Sequence, residues 1–322
     1  MASFALRRLL VSIPLLLIAT FLVFWAVRTT FDPTAKLAAS RDAAQVRAEM
    51  RERLGLDDPI IVQYGRWLGK AVTGDLGTSS RTNEPVSSMV WPALGNTMQL
   101  IVWGFGLALV LSIGIGVFSA VRQYSIPDYI FTGLSYIGLA MPPFWFALVA
   151  SQLLGPGLKN ALSLDEPIFY VVGLHSDGGG FDLDYFRHLF LPVLTLTVQI
   201  VAGWSRYQRS TMLEVLNTDY IRTARAKGLR ERSVIFRHGL RNALVPVLSV
   251  VAIDAGALFG GLIITESIFS IPGMGRLFVE ALNAGDVDTV LAWTLVSAVF
   301  VIMFNLLADL AYGFLDPRVR LT

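Results

Sequence analysis

The chain has 322 residues, of which 54% are hydrophobic and 16% charged, with a net charge of +2 at pH 7. That balance, together with a positive mean hydropathy, excludes an ordinary soluble domain and calls for a lipid bilayer as second solvent. The lack of cysteine excludes a disulfide framework, a thiolate metal site and a thiol nucleophile.

Apolar runs at 9–27, 97–121, 129–154, 189–203, 244–265 and 290–315 predict an all-α membrane protein with six transmembrane helices, because about 20 helical residues cross a hydrocarbon core of about 30 Å. The first run follows Arg7 and Arg8 and continues through Phe21, Phe24 and Trp25 with no small-residue cleavage site, so 1–28 reads as a retained first helix and not a signal peptide. An extended region at 29–95 follows, nearly balanced in charge. It must be external if the first span is retained, and its balanced charge is no contradiction, since loops beyond about 60 residues translocate largely regardless of charge. Within it, Asp42 and Gln45 cap a helix through Leu54 that Gly55 ends and Pro59 blocks from continuing, while Tyr64 and Trp67 suit a membrane interface.

Residues 96–322 form a five-helix core. Gly104, Gly106, Gly114 and Gly116 in the second run, with Gly256, Gly260 and Gly261 in the fifth, allow helices to approach closely. The loop at 155–188 is acidic and belongs outside; its Ser176–Asp182 stretch reads as a solvated turn over a calcium site, and His175, His188 and His238 are too scattered for a metal cluster. The fourth run is short and borrows 204–212.

The segment 205–243 carries nine Lys and Arg against three Asp and Glu, which places it in the cytoplasm. Arg7, Arg8, Arg122, Arg318 and Arg320 then also lie inside, with both termini. Thr218 or Asp219 is set to cap a short helix that Gly228 ends in the left-handed conformation. A second helix from Glu231 places Val234, Phe236 and Leu240 for packing.

Polar groups inside spans are costly in lipid and should face protein or an aqueous path. Asp254 is the clearest, either a pathway residue or a helix contact, and Gln199 is a weaker case. Asn305 and Asp309 suit contacts with neighbouring helices. After the fifth run, Glu266 leads into a segment that Pro272 and Gly273 break, a candidate outer gate or re-entrant turn in the external 267–289 loop. No Gly-x-x-x-x-Gly-Lys-Ser/Thr phosphate loop occurs, so energy for any ATP-driven process comes from partners. A membrane enzyme or channel predicts convergent nucleophiles, paired acids or a charged ring, and none is evident. A non-transporting scaffold is the other competing class.

Four segments then fall in one order: LGLDDPIIVQYGRWLGKAVTGDLGTS at 54–79, YIRTARAKGL followed by LRNALVP within 220–246, ESIFSIPGMGRL at 266–277 and NLLADLAYGFLDPRVR at 305–320. Together they resemble the dipeptide and oligopeptide permease family of binding-protein-dependent ABC importers, in particular the B-type subunit, over nearly the whole chain. The resemblance implies the type I ABC importer permease fold and a cytoplasmic EAA-type loop whose helix docks on an ATP-binding subunit. Aligned on Gly228, Arg222, Thr223 and Ala224 occupy the triplet, so only Ala224 and the glycine match the general form. The docking set so implied is Asp219, Tyr220, Arg222, Thr223, Ala224, Arg225, Lys227 and Gly228.

The resemblance further implies a subunit that is not itself an enzyme, located in the bacterial cytoplasmic membrane. Its partners are a second homologous permease, two ATP-binding subunits that bind ATP and magnesium, and an external substrate-binding protein. No cofactor on this chain and no nucleic acid is expected. Dipeptides or oligopeptides are the implied cargo, with nickel complexes, glutathione and haem carried by close relatives.

Overall fold

The computed structural model describes residues 2–31, 49, 51–52, 55–176 and 180–315, with the side chains at 2–9, 257–261 and 308–315 outside that description. The expected helix from Asp42, the side chains of Arg7, Arg8 and Asp309, the packing of Gly260 and Gly261, and Arg318 and Arg320 lie outside the described residues. Gly55 does close a turn, with the Leu56 amide donating to the Arg51 carbonyl at 2.9 Å. Among the described residues every named element is a helix. Among those residues five continuous helices are long and apolar enough to cross a membrane, or six if a bent pair counts as one span. The chain divides into two compact units.

One unit holds Ala2–Asn96 and Pro272–Met303. It contains α1 (Ala2–Thr30), α2 (Ile60–Val72), the start of α3 (Val86–Val121), α9 (Met274–Ala284) and most of α10 (Val287–Leu315). Pro59 supplies a fixed φ just ahead of α2, and the Thr73 hydroxyl closes its other end on the Lys70 carbonyl at 2.8 Å. The core joins Phe24 and Val27 of α1, Trp67 of α2, Ala281 of α9 and Val287, Val290 and Leu291 of α10. Tyr64 and Trp67 are engaged within the chain. Their rings pack on Phe24 at 5.6 and 5.7 Å between centroids, and the Tyr64 hydroxyl hydrogen-bonds that of Thr20 at 2.8 Å.

The other unit holds Thr97–Ile271 and Phe304–Thr322. It contains the rest of α3, α4 (Ile126–Ala140), α5 (Pro143–Gln152), α6 (Leu183–Leu216), α7 (Asp219–Ala226) and α8 (Arg241–Ile268). The expected third span is not one straight helix: α4 and the Pro143–Ala161 segment meet at 107°. Pro142 and Pro143 cause the break, since a residue before proline is driven out of the helical region and proline has no amide to donate. Met141 accordingly has ψ 127°.

α6 does extend past 203 and continues to Leu216. Its 34 residues rise about 51 Å, more than the thickness of a hydrocarbon core. The Asp182 carboxylate caps it by accepting from the Tyr185 amide at 2.9 Å. The second helix expected from Glu231 is not separate from the fifth span. It runs from Glu231–Ser233 through a π-helical turn at Val234–Leu240 directly into α8.

Small residues seat α6 against its neighbours. A Cβ on Gly116 of α3 would lie 2.6 Å from the Gln208 side chain of α6, so only glycine fits there. One turn and more above, Phe105 of α3 meets Trp204 of α6 edge to face at 4.9 Å. Close approach also holds at Gly104 and Gly256, whereas a Cβ at Gly106 or Gly114 would meet nothing within 4 Å in this chain.

Candidate functional site

The short helix expected in the basic loop is present, although its start is capped differently. Thr218 occupies the N-cap of α7, but its hydroxyl bonds back to the Val215 carbonyl at 2.6 Å and makes no cap bond to the helix. Asp219 sits in the first turn, where its charge opposes the helix dipole favourably. At the other end the Leu229 amide reaches the Ala224 carbonyl at 3.4 Å and the Gly228 amide that of Arg225 at 2.9 Å. Gly228 has φ +74°, a conformation that costs a residue with a Cβ.

Alternation along α7 sorts its residues into two faces. Ile221 and Ala224 are buried against Val234, with Val215 and Leu216 alongside. Asp219, Tyr220, Arg222, Thr223, Arg225 and Lys227 are exposed. The helix is thus seated on the chain's own framework by two apolar residues and presents a polar, basic face. Ala224, placed in the docking set by resemblance, lies on the seated face. Phe236 is exposed and does not join the packing expected of it; Val234 alone is fully buried.

Exposed side-chain bonds span the loop. Arg225 reaches Glu231 at 2.8 Å across the turn, and Arg222 lies 3.4 Å from Asp219. Asn242, in the first turn of α8, donates to the Tyr220 hydroxyl at 3.0 Å.

The polar residues in the spans are not gathered in one place. The Trp204 indole donates to Asp254 at 2.7 Å, joining α6 to α8. Gln199 reaches the Met141 carbonyl at 3.4 Å, at the break after α4. Glu266 is completely buried and accepts from the Thr97 hydroxyl at 2.6 Å. In the other unit, the Pro272 carbonyl accepts from Asn96 at 3.0 Å, and Gly273 precedes α9 in an extended conformation. Pro272 and Gly273 border a cavity of about 420 Å³ with Arg81, Arg276 and Glu280.

Two groupings escaped the sequence. Asp128 in α4, itself buried, and the partly exposed Arg209 in α6 form an ion pair at 2.9 Å. An aspartate at the edge of an apolar run and an arginine within the borrowed part of α6 were the available signals. His175, Asp182 and Asp184 place potential ligand atoms within 4.8 Å of one another, a proximity their spacing does not announce. Both carboxylates are engaged in closing the turn before α6: Asp182 on the Tyr185 amide, Asp184 on the Ser176 amide and hydroxyl.

Long apolar helices, a broken span and a short helix seated on a basic loop define a polytopic all-α membrane protein. Residues 112–321 match the family described as binding-protein-dependent transport system inner membrane component, and 1–111 match the N-terminal family of that component. The chain belongs to this family of ABC importer permeases: it is a multi-pass inner-membrane transport subunit and not an enzyme. Full-length similarity supports the same placement. The oligopeptide transport system permease protein AppB of Bacillus subtilis (strain 168) is 42% identical over 323 residues, 99% of this chain and 100% of that protein. The dipeptide transport system permease protein DppB of Alkalihalophilus pseudofirmus is 39% identical over 332 residues, 99% of this chain and 100% of that protein. DppB of Escherichia coli (strain K12) is 37% identical over 337 residues and 99% of each chain.

Proposed function

We propose that this chain is the permease subunit of a peptide importer, forming half of the translocation pathway and coupled to ATP hydrolysis through α7. Peptide cargo is supported by the names of the full-length relatives, which are oligopeptide and dipeptide permeases. The other half of the pathway comes from a second homologous permease. Two ATP-binding subunits, which bind ATP and magnesium, engage the cytoplasmic side, and a substrate-binding protein delivers peptide outside. Both termini are cytoplasmic, an orientation supported by the basic 205–243 loop and the acidic 155–188 loop.

The observation that carries the coupling assignment is the two-sided construction of α7, with Ile221 and Ala224 buried and a polar face exposed. Asp219, Tyr220, Arg222, Thr223, Arg225 and Lys227 meet the ATP-binding subunit, while Ala224 and Gly228 fix the helix they stand on. Asp254, Gln199, Glu266, Pro272 and Gly273 belong to the pathway and its gates.

Peptide-stimulated ATP hydrolysis in the reconstituted complex tests this. Arg222→Glu on the exposed face should uncouple hydrolysis from peptide while the protein still assembles in the membrane. Full coupling in that variant would remove the assignment.

A further inference from the structure

A cleft of about 620 Å³ lies between α4 and α6, bordered by Thr132 and Tyr136 on one side and Gly203, Arg206, Tyr207 and Ser210 on the other. Two arginines border it, and their circumstances differ. Arg209 is fixed on Asp128 by two hydrogen bonds of 2.9 Å, so its charge is matched. Arg206 makes no ion pair among the described residues; its guanidinium lies over the Tyr136 ring, 4.3 Å from the centroid. The acid on the rim, Glu214, is exposed and eight residues farther along α6, about 12 Å by helical rise. It lies beyond a guanidinium's reach for direct pairing.

The cleft thus offers one unmatched cation and the hydroxyls of Tyr207 and Ser210, while that of Thr132 is directed to Asp128 at 3.5 Å. Its wall is open at Gly203, where a Cβ would meet nothing within 4 Å. Beside it, Tyr129, Tyr136 and Leu139 leave an exposed, largely apolar strip along α4. A guanidinium with hydroxyl donors suits a phosphate group, and an apolar strip next to it suits acyl chains. Basic pockets between spanning helices on the cytoplasmic side are sites of anionic headgroups.

We propose that this cleft binds the phosphate headgroup of an anionic phospholipid from the leaflet facing the 205–243 loop. The choice of leaflet rests on the orientation proposed above; the headgroup chemistry does not. A lipid held here bridges α4 and α6, which the Asp128–Arg209 pair already links.

The test uses the full-length protein in nanodiscs of phosphatidylethanolamine doped with cardiolipin, with retained lipid read by native mass spectrometry. The wild type should retain cardiolipin in preference to phosphatidylethanolamine. Arg206→Gln should weaken retention about tenfold, the scale of one charge-assisted hydrogen bond. Gly203→Leu should weaken it as well, by filling the cleft without altering charge. No preference in the wild type, or undiminished retention in both variants, would overturn the proposal, as would displacement of the lipid by inorganic phosphate. Peptide-stimulated hydrolysis, measured separately on the complex, reports on the transport reading alone, so the two readings fail independently.

Discussion

Asp128, in the first turn of α4, holds Arg209 of α6 through two hydrogen bonds of 2.9 Å, Nε to Oδ1 and Nη2 to Oδ2, and also accepts from the Tyr124 amide at 2.9 Å. The aspartate is only 2% exposed, whereas the Arg209 side chain is 26% exposed and borders a cleft, so removal of the aspartate leaves a cation that water partly reaches. Asp128→Ala should therefore destabilise the protein by about 1–3 kcal/mol, the scale of hydrogen bonds lost to a charged group. Replacing both partners, Asp128→Leu with Arg209→Met, should cost less than the single change, because no orphan charge remains. Unfolding of the purified protein in detergent measures both, and equal losses would show that the two side chains are not coupled.

Ala224 and Gly228 act on α7 in different ways. Ala224 is 6% exposed between Ile221 and Val234, so Ala224→Leu overpacks the seat and costs about 1–3 kcal/mol. A Cβ at Gly228 would meet no neighbour, but the backbone there has φ +74°, so Gly228→Val costs about 1–2 kcal/mol through backbone strain alone. Both should loosen the loop and expose Arg225 and Lys227 to trypsin faster than in the wild type. Arg222→Glu, on the exposed face, should leave the cleavage rate unchanged. Proteolysis at equal rates in all three variants would contradict the two-faced arrangement.

In the unit containing α1, the Asp286 carboxylate pins the 79–80 turn to the start of α10. It accepts from the Ser79 hydroxyl, from the Ser80 amide at 3.2 Å and from the Thr289 hydroxyl at 2.9 Å, and is itself buried. Asp286→Ala leaves these donors without their acceptor, at about 1–3 kcal/mol. The expected readout is accelerated tryptic cleavage after Arg81 together with a lower melting temperature; Asp286→Asn, which keeps one acceptor oxygen, should recover part of the loss.

These examples also mark what the sequence conveys. The extent of α7 was legible because a left-handed glycine has a local cause, and Gly228 lies where it was expected. Spans were legible because lipid demands long apolar helices. The break after α4 was missed because apolarity continues through it, although Pro142 and Pro143 carried the signal. The burial of Ala224 was beyond reach, since it depends on where Val234 returns after the turn. Contacts such as Thr97 to Glu266, 169 residues apart, leave no periodic trace.

Asp254 was open to two readings, and its geometry now separates them by experiment. One oxygen accepts from the Trp204 indole at 2.7 Å while the residue as a whole remains exposed, so a helix contact and an available charge coexist. An asparagine retains the acceptor for the indole but loses the charge. Asp254→Asn should therefore keep the melting temperature of the wild type and lower peptide uptake about tenfold, the scale by which a charge-assisted hydrogen bond to an ammonium group exceeds a neutral one. Asp254→Leu should lower both, because the buried indole nitrogen of Trp204 then lacks an acceptor. Uptake by reconstituted vesicles, paired with thermal unfolding of the same preparations, distinguishes the cases; wild-type uptake in Asp254→Asn would assign the residue to helix packing alone.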